Sequence, residues 1–162
     1  SGDRIRETLF NWLAPILPGC RCLDLFAGSG ILGFEALSRG AAHCSLVELN
    51  PQAARQLRAN AEQLQADNAA IFQMNAQEFL AKPVTEPFDV VFMDPPFAGN
   101  LWQPVMELLE KGWLREDALI YVESPPDLAL NPPATWYSHR EKRAGQVCYR
   151  LYRRETNRNP PV

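Results

Sequence analysis

A carboxylate, two prolines and an aromatic ring directly follow an apolar run in the middle of the chain. The run covers residues 88–93, and the next four residues are Asp94, Pro95, Pro96 and Phe97. Because proline has no N–H and a restricted φ, this loop is stiff and its carbonyl groups point in fixed directions. A carboxylate and a rigid carbonyl can accept hydrogen bonds from an amine, and the ring can stack on a planar base. A simple turn uses the same residue types, so the loop alone leaves both interpretations open.

A glycine-rich turn earlier in the chain is a second candidate for chemistry. Asp24 is followed by Gly28, Gly30 and Gly33 in the spacing G-x-G-x-x-G. Between a strand and a helix, this spacing lets a ligand approach the backbone closely. Glu48 comes 20 residues after Gly28, where an acidic side chain can hold the two hydroxyls of a ribose. The glycines by themselves suit a dinucleotide equally well.

The charge of Asp24 favours one adenosine-containing ligand over the other. A dinucleotide carries a pyrophosphate, which a carboxylate immediately before the turn would repel. S-adenosyl-L-methionine carries a sulfonium and an ammonium group, which the same carboxylate would attract. The sequence therefore predicts S-adenosyl-L-methionine as the cofactor and disfavours an NAD-dependent oxidoreductase.

The elements that must position these residues alternate between strand and helix patterns. Apolar runs at residues 20–26, 44–49, 69–74, 88–93 and 118–124 predict strands, and residues 4–16, 31–40, 51–66, 76–81 and 101–112 predict helices. Residues 136–143 and 146–154 flank Ala144 and Gly145 and predict an antiparallel hairpin at the last edge of the sheet. Apolar strands between helices indicate a parallel sheet covered on both faces. The loops after strands one, two and four then meet at one edge of that sheet.

The composition is that of an ordinary globular chain, with 46% hydrophobic and 22% charged residues among 162. We predict one domain over residues 1–155 and a frayed tail over residues 156–162. No apolar run reaches the roughly 20 residues of a membrane span, and no secretory signal is evident, so a cytoplasmic location without membrane contact is expected. The cysteines and histidines show no metal-ligand spacing, so no metal site is predicted. The absence of an exposed apolar stripe favours a monomer.

Basic residues are concentrated toward the end of the chain, although the net charge is −3. Residues 138–162 carry a net charge of +5, which leaves −8 for the remainder. This distribution permits local contact with phosphate. The residues that we predict to contact RNA are Arg4, Arg6, Arg140, Lys142 and Arg143. A solvated surface explains these charges equally well, and Arg4 and Arg6 could instead pair with Asp3 or Glu7.

The motifs together resemble those of a known enzyme class. The turn LDLFAGSGILG, Glu48, NAQEF and MDPPF resemble the class I S-adenosylmethionine-dependent methyltransferases whose (Asp/Asn/Ser)-Pro-Pro-(Tyr/Phe/Trp) motif modifies planar amines. DRIRETLFNWL, EALSRGA and REKRAGQVCYRLYRR are similar to the bacterial 16S ribosomal RNA guanine-N2 methyltransferases, the RsmD family, over nearly the whole chain. In that family a basic, glycine-containing segment usually precedes the first helix. This sequence lacks it, so weaker RNA affinity is expected.

The resemblance implies a Rossmann-like α/β fold with helices on both faces of a seven-stranded, mostly parallel sheet whose last strand is antiparallel. It also implies that Asn75 and Ala76 border the adenine of the donor and that Phe26 lies near its methionine part. The predicted cofactor-binding residues are Asp24, Phe26, Ala27, Gly28, Ser29, Gly30, Gly33, Glu48, Leu49, Asn75 and Ala76. The predicted catalytic residues are Asp94, Pro95, Pro96 and Phe97.

The implied activity is methyl transfer from S-adenosyl-L-methionine to the exocyclic N2 amine of a guanine in 16S ribosomal RNA. The substrate would be naked RNA or the assembled small ribosomal subunit, and the base would have to be unpaired or flipped out. Related Pro-Pro motifs serve adenine-N6 and protein glutamine methyltransferases, which are alternatives. An RNA-binding module of the same fold without catalysis is a further alternative, which the complete set of glycines and Asp94 disfavours.

Overall fold

The computed structural model describes residues 2–156, which contain seven strands and five helices. The helices are α1 Asp3–Leu13, α2 Ile31–Ser38, α3 Pro51–Gln63, α4 Ala76–Leu80 and α5 Trp102–Leu109. The strands are β1 Arg21–Asp24, β2 His43–Val47, β3 Ala69–Phe72, β4 Phe88–Met93, β5 Leu114–Ser124, β6 Trp136–Ala144 and β7 Val147–Arg154. Every element predicted from the sequence is present, and β5 begins four residues earlier than predicted.

The strands form one sheet in the order β3-β2-β1-β4-β5-β7-β6. β7 runs antiparallel to β5 and to β6, and the other neighbouring pairs are parallel. The predicted Rossmann-like α/β class, with a mostly parallel seven-stranded sheet and an antiparallel last strand, is confirmed. The predicted hairpin forms the last edge of the sheet, with β6 outermost. β7 has buried residues on both faces and lies inside the sheet, whereas the largely exposed β6 forms the edge.

Two cores cover the two faces of the sheet. Leu23 and Val91 pack with residues of α4 and α5 on one face. Their chain neighbours Cys22 and Val90 pack with residues of α1, α2 and α3 on the other face. Successive side chains of a strand point to opposite faces, so apolar residues in succession require helices on both sides. This arrangement confirms the predicted layers.

The ends of the elements follow from local chemistry. Asn50 Oδ1 accepts a hydrogen bond from the Ala53 N–H at 3.0 Å, and Pro51 is the first residue of α3, as the sequence predicted. α1 ends at Leu13 and not at residue 16, because Pro15 has no N–H to extend the helix. The Ile16 N–H instead bonds to the Leu13 carbonyl at 3.0 Å in a turn.

The predicted frayed tail lies almost wholly beyond the described residues. Its first residue, Thr156, is held in place, because its N–H donates to Glu116 Oε1 at 2.9 Å. Residues 157–162 lie outside the part of the chain that the structure describes.

Candidate active site

A cavity of about 570 Å³ opens beside the carboxyl ends of β1, β2 and β4. β2 and β3 lie on one side of β1, and β4 lies on the other, so the cavity is at the switch point where open parallel sheets bind ligands. Predicted site residues in its lining are Phe26, Gly28, Glu48, Leu49, Asn75, Ala76, Asp94 and Pro96. The sequence interpretation missed further lining residues, which are Leu25, Val47, Asn50, Pro51, Met74, Gln77 and Leu101. These are mostly immediate chain neighbours of the predicted ones, and that adjacency was the available signal.

Two glycines of the turn have different structural reasons for being glycine. Gly28 and Gly30 adopt left-handed backbones, with φ of +56° and +82°, which L side chains rarely adopt. A Cβ on Gly28 would meet no atom within 4 Å, so this residue leaves the cavity open. A Cβ on Gly30 would lie 2.5 Å from Leu57 and 2.6 Å from Phe34. Ala27, Ser29, Gly30 and Gly33 are absent from the cavity lining; Ser29 is exposed and the other three are buried.

Glu48 is fixed by two backbone N–H groups at the end of β2. Its Oε1 accepts from the Gly28 N–H at 2.8 Å, and its Oε2 accepts from the Asn50 N–H at 2.8 Å. The carboxylate therefore joins the glycine turn to the start of α3. Each carboxylate oxygen can accept more than one hydrogen bond, so Glu48 retains capacity for the hydroxyl groups of a ligand.

Asn75 and Ala76 form the cavity wall at the start of α4. Asn75 Oδ1 accepts from the Glu78 N–H at 2.7 Å, and the Asn75 N–H donates to Glu78 Oε1 at 3.3 Å. This reciprocal pair is a capping box. Ala76 is buried directly after it. The cap therefore fixes the backbone that faces the cavity. The side-chain oxygen of Asn75 already accepts the hydrogen bond from the Glu78 N–H.

Asp24 lies behind the turn and does not line the cavity. The side chain is 2% exposed, and its Oδ2 has no hydrogen-bond partner among the described residues. Its carboxyl group accepts backbone hydrogen bonds from Gly33 and Phe26. Burial, reinforced by the charge of Asp94, raises the pKa of Asp24 to about 7. Asp24 can therefore act on a ligand through its charge and through the shape of the turn, without direct contact.

The Asp94–Phe97 loop borders the same cavity. Asp94 and Pro96 line it, Pro95 is buried, and the Phe97 side chain is 44% exposed. The Phe97 ring lies 5.8 Å from the Trp102 ring, and Trp102 Nε1–H donates to the Glu123 carbonyl at 2.8 Å. The loop is thus braced against the end of β5, with an aromatic ring presented to solvent beside the cavity.

Asp94 has a buried acidic neighbour that the sequence interpretation missed. Burial raises the pKa of Asp94 to about 7, and the charge of Glu123 and a hydrogen bond between the two side chains add to this. Glu123 is 2% exposed near the end of β5. Glu123 lies within the fifth predicted strand, outside the loops after strands one, two and four to which the sequence pattern assigned chemistry. An acidic residue near the end of the apolar run ALIYVES was the signal that could have revealed it.

The predicted RNA-contact residues lie outside the cavity. Arg140, Lys142 and Arg143 are exposed on β6, and Arg4 is exposed on α1. Arg6 pairs with Asp3, which was one of the interpretations left open. Three other basic residues of the C-terminal segment are engaged within the fold, where Arg150 pairs with Glu141, Arg153 with Asp117, and Arg154 with Glu110. Within residues 138–156, the exposed basic side chains therefore belong mainly to β6.

The chain is similar to named proteins over most of its length. Residues 1–153 match the family described as conserved hypothetical protein 95. Ribosomal RNA small subunit methyltransferase D of Escherichia coli strain K12 is 54% identical over 155 residues, which cover 94% of this chain and 78% of that protein. The chain belongs to the methyltransferase D family. The Haemophilus influenzae methyltransferase D is 47% identical over 156 residues, covering 94% of this chain and 81% of that protein.

A solved structure supports the same membership. The Escherichia coli methyltransferase named yhhF has a TM-score of 0.90 and 53% identity to this chain, covering 94% of this chain and 85% of that one. The region that matches the methyltransferase D family includes every residue that lines the cavity. Within residues 2–156, the helices are too short or too polar to cross a membrane.

Proposed function

We propose that this chain transfers a methyl group from S-adenosyl-L-methionine to the exocyclic N2 amine of a guanine in 16S ribosomal RNA. One observation carries the proposal: a site suited to adenosine, at Gly28 and Glu48, and an amine-accepting loop, at Asp94 and Pro96, line the same cavity. The relatives named ribosomal RNA small subunit methyltransferase D support the choice of substrate.

The residues of the cavity fit the donor. Glu48 can accept hydrogen bonds from the ribose hydroxyls, and Gly28 leaves the backbone open to close approach. Asp24 has a buried oxygen without a partner, and a cation bound nearby would compensate its negative charge. When bound, S-adenosyl-L-methionine supplies a methyl group that is already activated by a positively charged sulfur. The chain's own contribution is therefore chiefly positioning and electrostatics.

The Asp94–Phe97 loop fits the acceptor amine. The guanine N2 lone pair is delocalised into the ring, which makes the amine a poor nucleophile. Hydrogen bonds from its two hydrogens to the Asp94 carboxylate and the Pro95 carbonyl favour a lone pair localised on nitrogen. The two prolines keep these acceptors in place. Phe97 stacks on the base, a contact worth roughly 1 to 3 kcal/mol in comparable sites.

The target guanine leaves its RNA helix before it enters the cavity. Asp94 lies at a partly buried position on the cavity wall, and a base stacked within a duplex cannot bring its amine there. The nucleotide is therefore unpaired or flipped out.

Basic residues on β6 and α1 hold the RNA backbone. In the strand register, Lys142 of β6 lies opposite Tyr149 of β7, and Tyr149 lies opposite Glu123 of β5. Lys142 is therefore about 10 Å from the Glu123 position, two strand spacings away. Arg140, Arg143 and Arg4 are exposed and extend this surface. Arg6 joins it if its pair with Asp3 opens. In this proposal the chain acts as a cytoplasmic monomer on naked 16S RNA or on the assembled small subunit.

A transfer assay tests the function. Labelled S-adenosyl-L-methionine is incubated with small ribosomal subunits, and separately with naked 16S RNA, both lacking their normal methylations, and the product nucleosides are identified. We expect label in N2-methylguanine from the wild type and from Asp67→Ala, a control at an exposed loop residue. Asp94→Ala should lower the rate by about 100-fold or more while calorimetry shows that the donor still binds.

The position of the label decides between the alternatives. Label in N6-methyladenine or in protein would show that the substrate is adenine or a protein and not guanine. Donor binding without any transfer to either RNA form would overturn the proposed activity.

A further inference from the structure

Glu123 is a buried acidic residue that the proposed reaction leaves without a role. It is 2% exposed, and its Oε2 has no hydrogen-bond partner among the described residues. Its carboxyl group and that of Asp94 interact through their charges, and the neighbouring Tyr121 hydroxyl also has no hydrogen-bond partner among the described residues. Buried polar groups are normally fully paired because an unpaired one is costly. A carboxyl group maintained here therefore requires an explanation.

The strand register brings the two carboxyl groups together. In the β4–β5 pair, Phe92 lies beside Tyr121 and Met93 lies beside Val122. The next step of this register brings Asp94 beside Glu123. Side chains alternate along a strand, so both carboxyl groups lie on the face that carries Phe92 and Tyr121. The Glu123 backbone is held by the 2.8 Å hydrogen bond from Trp102 Nε1 to its carbonyl.

We propose that Glu123 is a positioning residue for Asp94, and that a hydrogen bond between the two adjacent carboxyl groups turns the acceptor oxygen of Asp94 toward the cavity. This role rests on the proposed function, in which the substrate amine donates to Asp94. A hydrogen bond between two carboxyl groups requires one proton. That proton is shared by the pair, so the other oxygen of Asp94 stays available to accept from the amine. Such support from behind matters because small displacements of a reacting group lower the rate strongly.

The surroundings of the pair determine its response to pH. Asp24 on β1 interacts electrostatically with Asp94, and Tyr121 on β5 interacts with both Asp94 and Glu123. Tyr149 on β7 lies beside Glu123 in the strand register. Glu48 interacts electrostatically with Asp24. None of these side chains is a cation, whereas the charge of the chain's amino group lowers the pKa of Asp94. Arg150 pairs with Glu141 at 2.7 Å on the opposite face of β7. A negative charge on Glu123 therefore opposes ionisation of Asp94, and its removal should let Asp94 ionise at lower pH.

The first test needs no catalysis. The carboxyl resonance of Asp94 is followed by carbon-13 NMR during a pH titration of the cofactor-free protein, with assignment by its loss in Asp94→Asn. Glu123→Gln keeps a side chain that can donate to Asp94 but has no charge. We expect this variant to lower the titration midpoint of Asp94 by about one pH unit. Glu110→Gln is the matched control, because it neutralises a part-buried glutamate that bonds to Thr135 and Trp136, and it should leave the midpoint unchanged.

The second test measures single-turnover methyl transfer between about pH 5.5 and about pH 9. Glu123→Gln should keep the high-pH rate within about threefold of wild type, with its acid limb shifted to lower pH. Glu123→Leu has similar volume but no hydrogen-bonding group. We expect its high-pH rate to fall about tenfold or more, with donor affinity changed by less than about threefold.

The outcomes separate the two proposals. An Asp94 midpoint that is equal in wild type and Glu123→Gln would overturn the positioning role, as would a Gln variant as slow as the Leu variant. Absence of transfer by the wild type together with the expected midpoint shift would overturn the proposed function, while the shift itself would still support the Glu123–Asp94 pair.

Discussion

Two buried aspartates give the site its electrostatic character. Burial raises the pKa of both Asp24 and Asp94 to about 7, and neither has a cationic side chain as a hydrogen-bond partner among the described residues. Ionised carboxylates in such surroundings are unfavourable until a cation approaches. The cofactor-free protein should therefore be less stable where these groups are charged.

The pH dependence of stability tests this description of Asp94. Folding raises its pKa from an ordinary 3.8 to about 7, so the folded state binds the proton more tightly than the unfolded state. The resulting stabilisation is fully present below about pH 4 and is lost as the pH rises to about 7. Between about pH 4 and about pH 7, the free energy of unfolding of Asp94→Asn should fall by less than that of the wild type, with a difference of at least about 1 kcal/mol. Urea denaturation of the cofactor-free protein at several pH values measures the difference.

Asp67→Asn provides the control, because Asp67 is exposed and the substitution removes the same charge. Its stability should follow the wild-type curve. Equal pH slopes for all three proteins would show that Asp94 is not the group responsible.

At the scale of elements, the glycine turn separates a binding function from a packing function. Gly28 and Gly30 share a left-handed backbone, so alanine is strained at both positions by a similar amount, about 1 to 2 kcal/mol. They differ in what a side chain would meet. At Gly28 it would meet open space beside the cavity, and at Gly30 it would overlap Leu57 of α3 and Phe34 of α2.

This contrast predicts different losses for the two alanine variants. Gly30→Ala should lower the free energy of unfolding by about 1 to 3 kcal/mol more than Gly28→Ala, because the overlap adds to the strain. Gly28→Ala should instead mainly lower donor affinity, by about tenfold or more, because its methyl group occupies the cavity mouth. Urea denaturation and calorimetry with S-adenosyl-L-methionine measure the two effects. Equal stability losses, or normal donor binding by Gly28→Ala, would contradict this division of roles.

At the scale of the whole molecule, an acidic site lies beside a basic sheet edge. The arginines of β7 are engaged in ion pairs, so within the β6–β7 hairpin the exposed positive charge comes from β6, the edge strand. The two strands therefore divide the basic residues into a structural set and a surface set. Within this hairpin, the surface set is the one exposed for contact with phosphate.

Charge reversal on β6 tests its contact with RNA. Lys142→Glu should weaken binding to unmodified small subunits and reduce the salt dependence of binding by about one phosphate contact. Donor affinity should stay the same, and the free energy of unfolding should change by less than about 0.5 kcal/mol, because Lys142 is exposed. Filter binding at several salt concentrations measures the effect.

Lys111→Glu is the matched control, since it makes the same charge change at an exposed residue just before β5 begins, at the opposite end of the strands. It should bind RNA like the wild type. If both variants lose the same affinity, the effect comes from overall charge, and β6 has no special contact.

Local sequence patterns determined the elements and most of the cavity. Periodicity located every strand and helix, and the cap at Asn50 followed from the preferences of single residues. The glycine turn, Glu48, Asn75 and the Asp94 loop could be found because open parallel sheets bring the carboxyl ends of their strands to one edge. The approach failed at Pro15, where the missing N–H ended α1 before its apolar pattern did.

Only the tertiary structure decided which strands are neighbours, and several consequences depend on that order. Insertion of β7 beside β5 engaged its arginines within the fold and left β6 exposed at the edge. Pairing of β4 with β5 brought Glu123 to Asp94 across 29 residues of sequence. Burial of Asp24 behind the turn likewise depends on the surrounding strands and helices. The hydrophobic pattern of a strand indicates that the strand is buried, but it does not indicate which strand lies beside it. These contacts therefore could not be predicted from the sequence alone.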